Sequence, residues 1–306
     1  MKTLQALLAL FAFAFLPLNA ADLSDLTYTT TDGKVTITDC KTSATGELVI
    51  PDTIGGNPVT SIRSNAFLSC ASLTSIDIPD SVTSMGFGCF VKCASLTSII
   101  IPDGVTSIGD GNLAECTNLT SVTIPDSVKS IGINAFYKCT SLKSIAIPEG
   151  VTSIGNEAFS DCTSLTNIII PDGVAIISGG AFYNCTSLTS VTIGSGVTSI
   201  ENVIADFFED GPASVNGAFQ NCTSLENITI PDRVTRIATK TFDGCTSLQN
   251  ITFLATTAPT LGVLVFEKIN TNAQITILAN AEGYGETFGG IMVVRMPVVS
   301  KPLQVF

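Results

Sequence analysis

The sequence lacks histidine and tryptophan altogether. Without histidine, the chain cannot assemble a Ser-His-Asp or Cys-His catalytic group, or a metal site with imidazole ligands. It also carries no Walker-type or dinucleotide-binding glycine motif. Catalysis would therefore have to use carboxylates, serines, lysines or cysteines, and we predict no enzyme, no cofactor and no resident metal.

Charged residues are scarce as well, at 13% of the chain, and the formal net charge is −12. Threonine, serine and isoleucine are abundant instead, so the surface is rich in hydroxyl groups. An acidic balance repels phosphate groups, which makes nucleic acid and anionic membranes unfavourable partners. The composition therefore favours a partner that is neither nucleic acid nor an anionic membrane.

Long apolar runs are confined to the beginning of the chain. Lys2 is followed by the apolar run 7–16, and the small-residue segment 18–20 precedes Ala21. This order is typical of a secretory signal peptide over residues 1–20, and the run is short for a membrane span; an uncleaved anchor is the alternative. We expect a secreted or cell-surface protein whose mature chain does not insert into the membrane.

A unit of 23 residues recurs along most of the chain. The stretch CTNLTSVTIPDSVKSIGINAF, residues 116–136, is nearly repeated by CTSLKSIAIPEGVTSIGNEAF, residues 139–159. Eight of the ten cysteines mark this unit, with one longer interval: Cys70, Cys93, Cys116, Cys139, Cys162, Cys185, Cys222 and Cys245. A fixed period of this length predicts a solenoid of stacked units.

The first part of each unit predicts a short strand and a turn. Leu119, Val122 and Ile124 form the pattern Leu-x-x-Ile-x-Ile, whose second half alternates as a strand does. Pro125 ends the strand because proline cannot donate a ladder hydrogen bond, and Gly132 permits a corner.

The last part of each unit predicts a single helical turn. Ala135, Phe136 and Cys139 lie one to four residues apart, so one turn can direct all three inward. One unit alone cannot bury this apolar surface. Units stacked about 4.8 Å apart bury one another's leucine, isoleucine, phenylalanine and cysteine side chains as continuous columns.

The unit resembles the BspA-like leucine-rich repeats, also called the Treponema pallidum type. The matching positions recur in eight units and are Leu119, Val122, Ile124, Pro125, Val128, Ile131, Gly132, Ala135, Phe136 and Cys139 with their equivalents. The resemblance implies a leucine-rich-repeat solenoid with a curved parallel β-sheet on its concave side. It also implies a secreted or cell-surface protein that acts in adhesion.

We divide the chain into four parts on this basis. Residues 1–20 form the signal peptide, 21–50 an N-terminal cap, 51–253 the repeats, and 254–306 a C-terminal cap and tail. An insertion at about 201–214 interrupts the repeats, because Cys185 and Cys222 are separated by fourteen extra residues.

The cysteines are interpreted as a structural column of buried thiols, each packed as a small apolar group. Scattered disulfides, and a metal or redox role, are the alternatives, because stacked neighbours come within disulfide reach. Cys40 and Cys89 stand outside the column and are expected to be the least constrained thiols.

An acidic residue follows the strand in most units. These residues are Asp52, Asp80, Asp103, Asp126, Glu149, Asp172 and Asp232. We interpret them as hydrated turn residues beside proline. A row of calcium ligands, or a carboxylate pair for glycoside hydrolysis, is the alternative.

Two regions are candidates for binding. The first is a recognition loop in the insertion, formed by Asp206, Phe207, Phe208, Glu209 and Asp210; a partial duplication of the repeat explains the same residues. The second is the outward face of the strands, formed by Asp77, Ile100, Thr123, Ala146, Ile169, Thr192, Thr229 and Thr252. Exposed apolar residues on a polar platform often mark an interaction surface, although threonine and isoleucine also simply suit strands.

The sequence thus predicts a module that binds an extracellular protein or glycan without covalent chemistry. A purely structural envelope or spacer protein is the alternative, and a carboxylate-dependent glycoside hydrolase is a remote one. The sequence does not indicate an oligomeric state.

Overall fold

The computed structural model describes residues 21–202 and 216–296. The predicted signal peptide and the candidate loop Asp206, Phe207, Phe208, Glu209 and Asp210 therefore lie outside the described residues. The chain forms a β-solenoid of about ten turns with a curled sheet, which confirms the predicted repeat solenoid. In the described ranges the only helical segment is a 3-10 turn at Leu23–Asp25.

The strands are short and follow one another in a regular order along the chain. They are β1 (Leu26–Thr31), β2 (Lys34–Cys40), β3 (Thr45–Val49), β4 (Thr53–Ile54), β5 (Asn57–Ile62), β6 (Ser72–Asp77), β7 (Ser84–Met85), β8 (Ser98–Ile100), β9 (Ser107–Ile108), β10 (Ser121–Thr123), β11 (Ser130–Ile131), β12 (Ser153–Ile154), β13 (Asn167–Ile170), β14 (Ile176–Ile177), β15 (Ser190–Ile193), β16 (Ser199–Ile200), β17 (Asn227–Ile230), β18 (Arg236–Ile237), β19 (Asn250–Phe253), β20 (Thr260–Leu261), β21 (Gln274–Ile277), β22 (Thr287–Phe288) and β23 (Ile291–Arg295).

Each 23-residue unit makes one coil with three sides. In the coil that begins at Cys116, β10 forms the first side, β11 forms the second, and the turn 134–138 forms the third. Pro125 follows β10 and turns the chain, as the sequence predicts. Both strands direct apolar side chains into the coil, so the core is a column running the length of the solenoid.

Successive coils pair in parallel and in register. Ser121 pairs with Ser98 and Val122 with Ile99, which lie one 23-residue unit earlier. The first side forms the groups β10-β8-β6-β3, β13-β15 and β17-β19-β21-β23-β22, and the second side forms β20-β18-β16-β14-β12-β11-β9. Equivalent residues thereby stack on one another, so one substitution changes a single rung of a column.

The third side differs from the single helical turn that the sequence predicts. Asn134 and Lys138 adopt left-handed backbone conformations, with φ of 55° and 58°, which interrupts any helical run. The amides of Asn134, Phe136 and Lys138 instead donate to carbonyls of the next coil at 2.7–2.9 Å. The stacking of coils therefore supplies the hydrogen bonds that a helix would have made within itself.

The glycine at position 132 has a different role from the predicted corner. Gly132 does not have a positive φ. A Cβ atom at Gly132 would lie 2.6 Å from the backbone nitrogen of Asp110 in the preceding coil. Glycine is required there because two stacked backbones approach too closely for any side chain.

Phenylalanine rings form the most regular column of the core. The rings of Phe136, Phe159, Phe182, Phe219, Phe242 and Phe266 stack with centroids 5.0–5.7 Å apart and interplanar angles of 2–7°. Leu113 occupies the ring position one coil earlier and separates this stack from the Phe67–Phe90 pair. Each buried ring is thus packed between two coils.

Threonine hydroxyls tie the coils together on the surface. Twelve of them donate to the carbonyl of the equivalent position in the preceding coil, at 3.0–3.5 Å: Thr97, Thr120, Thr166 and Thr189; Thr140, Thr186, Thr223 and Thr246; and Thr152, Thr198, Thr235 and Thr260. These positions form three parallel ladders, which gives these twelve threonines a structural role.

Hairpins close both ends of the solenoid. β1 and β2 form an antiparallel hairpin around Asp32 and Gly33, whose positive φ values of 51° and 68° suit a two-residue turn. At the other end, β22 and β23 are antiparallel across Gly289 and Gly290. The parallel ladder reaches β2 and β23, beyond the sequence repeats at 51–253, which raises the number of turns from the predicted eight to about ten.

Truncating one ring tests the stacked core. Phe159→Ala should reduce the free energy of unfolding by about 3–5 kcal/mol, because it leaves a cavity between the rings of two neighbouring coils. Phe87→Ala is the matched control, since Phe87 is 64% exposed and should lose little stability. Urea denaturation of both variants makes the comparison, and equal losses would contradict a core formed by the ring column.

A pair of substitutions in one strand tests the threonine ladders. Thr120→Val removes the hydroxyl that donates to the Thr97 carbonyl and should cost about 0.5–1 kcal/mol. Thr123→Val, three residues later, removes a hydroxyl that has no hydrogen bond among the described residues, and it should be close to neutral. Both variants keep the branched β-carbon, so an equal change in denaturation midpoint would argue against the ladder.

Candidate recognition face

The recognition face is the outward side of the first-side strands, between the two inward apolar residues of each. The structure leaves seven of its eight predicted residues exposed and one, Thr252, half-buried: Asp77, Ile100, Thr123, Ala146, Ile169, Thr192, Thr229 and Thr252. Parallel register aligns them as a single column, since Thr123 pairs with Ile100 and Thr192 with Ile169. That these residues bind a ligand remains a prediction.

Three further residues belong to the same column. Val49 pairs with Asp77 at one end, and Thr276 follows Thr252 and precedes Val294 at the other. They were not predicted from the sequence, because their strands lie in segments assigned to the caps. The alternation of apolar and polar residues around them was the available signal, since Leu48 and Ile275 on either side are buried.

The column combines exposed aliphatic side chains with free hydroxyls. Val49, Ile100 and Ile169 are 62%, 67% and 59% exposed. Among the intramolecular hydrogen bonds of the described residues, none involves the hydroxyl of Thr123 or Thr192. In the flanking column, by contrast, Thr97, Thr120, Thr166 and Thr189 all donate to backbone carbonyls of the coils that precede them. The face therefore concentrates its unused polar groups in the central column.

Two hollows open on the face where the backbone ladder is interrupted. The segment 144–147 pairs with neither β10 nor β13, and a hollow of about 420 Å³ lies there, lined by Val122, Ala146, Ile169 and Glu149. β15 and β17 likewise do not pair with each other. Between them lies a hollow of about 310 Å³, lined by residues that include Thr192, Thr229, Leu254 and Asp232. Each hollow thus combines an apolar floor with hydroxyls and one carboxylate.

The row of acidic residues lies along the edge of this face. All seven are exposed: Asp52, Asp80, Asp103, Asp126, Glu149, Asp172 and Asp232. Asp172 accepts hydrogen bonds from the amide and hydroxyl of Ser195 in the next coil, at 2.6 and 3.1 Å, which is the behaviour of a turn residue. Among the described residues, no three cysteine or carboxylate side chains converge as a metal site would require.

The first residues of the insertion lie on a different side of the coil. Its described ends, Glu201 and Asn202, follow the second-side strand β16. Glu201 pairs with Arg236 at 3.0 Å, and the Asn202 side chain donates to the Thr239 carbonyl at 2.6 Å. The described residues Glu201 and Asn202 therefore lie on a different side of the coil from the recognition face.

All ten cysteines are buried free thiols, which agrees with the predicted thiol column. The expectation for the two outlying cysteines is wrong in one respect, since Cys40 and Cys89 are also buried, at 3% and 0% exposure. Cys89 replaces the alanine of its unit and donates to the Gly86 carbonyl at 2.9 Å. Cys40 lies beside Cys70, at the end of the column.

Seven column thiols donate to a carbonyl of the preceding coil at 3.1–3.2 Å. These thiols are Cys93, Cys116, Cys139, Cys162, Cys185, Cys222 and Cys245. The acceptor is the carbonyl of the residue at the phenylalanine position, which is buried. Replacing the cysteine with alanine would remove one hydrogen-bond donor from that carbonyl. Burial raises the pKa of the Cys89 and Cys116 thiols to about 12.

These shifts predict a loss of stability in alkali. An unfolded thiol ionises near its ordinary pKa of 9.0, whereas folded Cys116 stays protonated until about pH 12. Its contribution is complete below pH 9 and falls by about 1.4 kcal/mol per pH unit between those values. Cys116→Ala should flatten the pH dependence of the unfolding free energy by that amount, as measured by urea denaturation at pH 8 to 11. Parallel curves for the two proteins would refute it.

No helix in the described ranges is long and apolar enough to cross a membrane.

The chain is similar to several solved structures. A search among curated proteins found no match. Of the solved structures, a leucine-rich repeat protein from Bacteroides ovatus is 23% identical, with a TM-score of 0.49, over 89% of this chain and 98% of that one. The T. pallidum leucine-rich repeat protein is 26% identical, with a TM-score of 0.41, over 81% of this chain and 88% of that one. A leucine-rich cell surface protein from Faecalibacterium prausnitzii is 25% identical, with a TM-score of 0.38, over 89% and 92%.

The family comparison is independent of these structures. The model of the BspA type leucine-rich repeat region matches six copies, over residues 44–136, 108–206 and 215–288. These ranges contain the strand, turn, phenylalanine and cysteine positions that build each coil. The chain belongs to the BspA-type leucine-rich repeat family.

Proposed function

We propose that this chain is a secreted or cell-surface recognition protein that binds an extracellular protein noncovalently through the recognition face. The observation that carries the proposal is the contrast between neighbouring columns of that face. The hydroxyls of the flanking threonines donate to backbone carbonyls in the ladder, whereas the hydroxyls of the central column, beside Ile100 and Ile169, have no partner among the described residues. The signal-peptide pattern of residues 1–20 and the family membership support the extracellular location.

The chemistry of the central column favours a protein over a glycan as the ligand. Its apolar members are the aliphatic Val49, Ile100, Ala146, Ile169 and Val294, and the column carries no aromatic ring on which a sugar could stack. Exposed aliphatic groups contribute to binding when a partner removes them from water. The two hollows offer places where protruding side chains of a partner would be desolvated.

One observation favours a glycan as the second candidate. At the C-terminal part of the face, the exposed amides of Asn227 and Asn250 are joined by a hydrogen bond of 2.7 Å. They lie beside Thr229 and Thr252, so this part is polar and rich in donors and acceptors. Such groups suit the hydroxyls of a carbohydrate.

The stacked architecture supports the proposed mechanism. The face is held by backbone pairing along most of its length, so its side chains project from a rigid platform. Binding at this rigid face does not require the conformational entropy loss that ordering a flexible loop would cost. Glu149 and Asp232 line different hollows, so neither hollow is lined by a pair of carboxylates, and the proposed mechanism contains no catalytic step.

The first experiment is a binding screen. Purified residues 21–306 are tested against extracellular-matrix proteins, mucins and a glycan array, in calcium and in EDTA. We expect a saturable hit among the proteins, and a hit confined to the glycans would select the second candidate. Loss of binding in EDTA would assign a role to the acidic row. A blank against all three classes would favour a purely structural role.

A charge substitution at two exposed positions then locates the site. The double variant Ile100→Asp, Ile169→Asp should weaken binding of the identified partner at least tenfold while leaving the melting temperature nearly unchanged, because both side chains are exposed. The matched control is Ile133→Asp, Ile176→Asp, two exposed isoleucines outside the face, and it should bind normally. Unchanged binding by the first variant would exclude this face.

A further inference from the structure

Two thiols converge at the N-terminal end of the cysteine column. Cys40 is the last residue of β2, and Cys70 is the first cysteine of the column. The sulfur atoms of both residues lie 3.7 Å from the same acceptor, the carbonyl oxygen of Lys41. The Cys70 sulfur also lies 3.7 Å from the carbonyl oxygen of Cys40. The two sulfur atoms therefore lie close to the same carbonyl oxygen.

This pair differs from the neighbouring thiols within the column. Cys93 donates to the carbonyl of Phe67, and every later column thiol repeats this contact with the phenylalanine position of the preceding coil. The carbonyls of Cys40 and Lys41 take that role toward Cys70, so Cys40 lies near the level of the phenylalanine and not at that of a cysteine. Its thiol is therefore an additional group beside the column, outside the regular spacing.

The two thiols also perturb one another's ionisation. Their mutual contact lowers the pKa of Cys70 and raises that of Cys40, as happens when one thiol stabilises the thiolate of the other. A thiolate is the species that attacks a disulfide, so the pair contains a preferred nucleophile, Cys70, and a resolving thiol, Cys40.

We propose that Cys40 and Cys70 form a disulfide in the exported protein while the other eight thiols remain reduced. This proposal rests on the extracellular location in the proposed function, because oxidising compartments favour such bonds. The bond would join the N-terminal hairpin to the first full coil.

The reaction requires a disulfide oxidant, either a small molecule or an oxidoreductase. The Cys70 thiolate attacks one sulfur of the oxidant, which forms a mixed disulfide and releases one thiol. The Cys40 thiolate then attacks the Cys70 sulfur and releases the second thiol. Both cysteine protons and two electrons pass to the oxidant, which ends as two thiols.

Access to the buried pair comes from the position of the pair in the fold. Cys40 and Cys70 are 3% and 0% exposed, so an oxidant reaches them during folding or when the terminal coil opens. The end units of a repeat protein open more readily than the interior ones because they contact one neighbour only. The interior thiols, packed between two coils, are protected from the same oxidant.

The test refolds the full chain without its signal peptide from denaturant in a mixture of reduced and oxidised glutathione. Thiols are then alkylated in denaturant and counted by mass spectrometry. We expect eight of the ten cysteines to be alkylated, with one cross-linked peptide containing Cys40 and Cys70. The oxidised protein should melt several degrees above the reduced protein, since a cross-link restricts the unfolded chain.

Two serine variants make the result specific. Cys40→Ser should give nine alkylated thiols, no cross-link, and a melting temperature that does not depend on the redox buffer. Cys89→Ser is the matched control, because Cys89 is equally buried and outside the column; it should keep the cross-link and the redox-dependent melting temperature.

Ten alkylated thiols in the refolded wild type, or a cross-link that uses Cys93 in place of Cys40, would overturn the proposal. The experiment does not depend on ligand binding. If the protein binds its partner but contains no cross-link, only the disulfide proposal is refuted. If the cross-link forms but no partner is found, only the proposed recognition function is refuted.

Discussion

The in-register pairing of one coil on the next is the interaction on which the whole structure depends. Every side of the coil takes part, through strand pairs such as Ser121 with Ser98, through Ser130 with Ser107, and through the amides of the turn 134–138. A coil cannot satisfy these backbone groups by itself, so the protein is stable only as a stack. Glycine at 132 is one consequence, because stacked backbones meet there without room for a Cβ atom.

Stacking also decides which side chains remain available for recognition. Inward side chains pack in the core columns, and three outward threonine columns form the hydroxyl ladders. The central column of the recognition face does neither, so residues as different as Asp77, Thr123 and Ile169 can occupy equivalent places. A substitution at such a position leaves the stack intact. Selection for binding a partner can therefore change these residues without loss of stability.

Some residues that differ from the repeat pattern pack against other residues that also differ from it. Leu113 replaces a ring of the phenylalanine column, and in the same coil Asn112 replaces the smaller alanine. The Asn112 side-chain oxygen accepts a hydrogen bond from the amide of Cys89, which replaces alanine one coil earlier, while its nitrogen has no partner. The three substitutions share one region of the core, where two larger side chains replace alanine beside a leucine that replaces a ring, and the Asn112 amide NH2 is left unsatisfied.

The sequence by itself determined the solenoid, the buried columns and the outward face, because a period of 23 residues with alternating strands allows one way to bury Leu119, Val122 and Phe136 together. Tertiary structure alone decided the turn conformation at 134–138, the reach of the ladder into both caps, the two hollows, and the approach of Cys40 to Cys70. These features depend on contacts between coils, whose geometry a one-dimensional pattern does not contain.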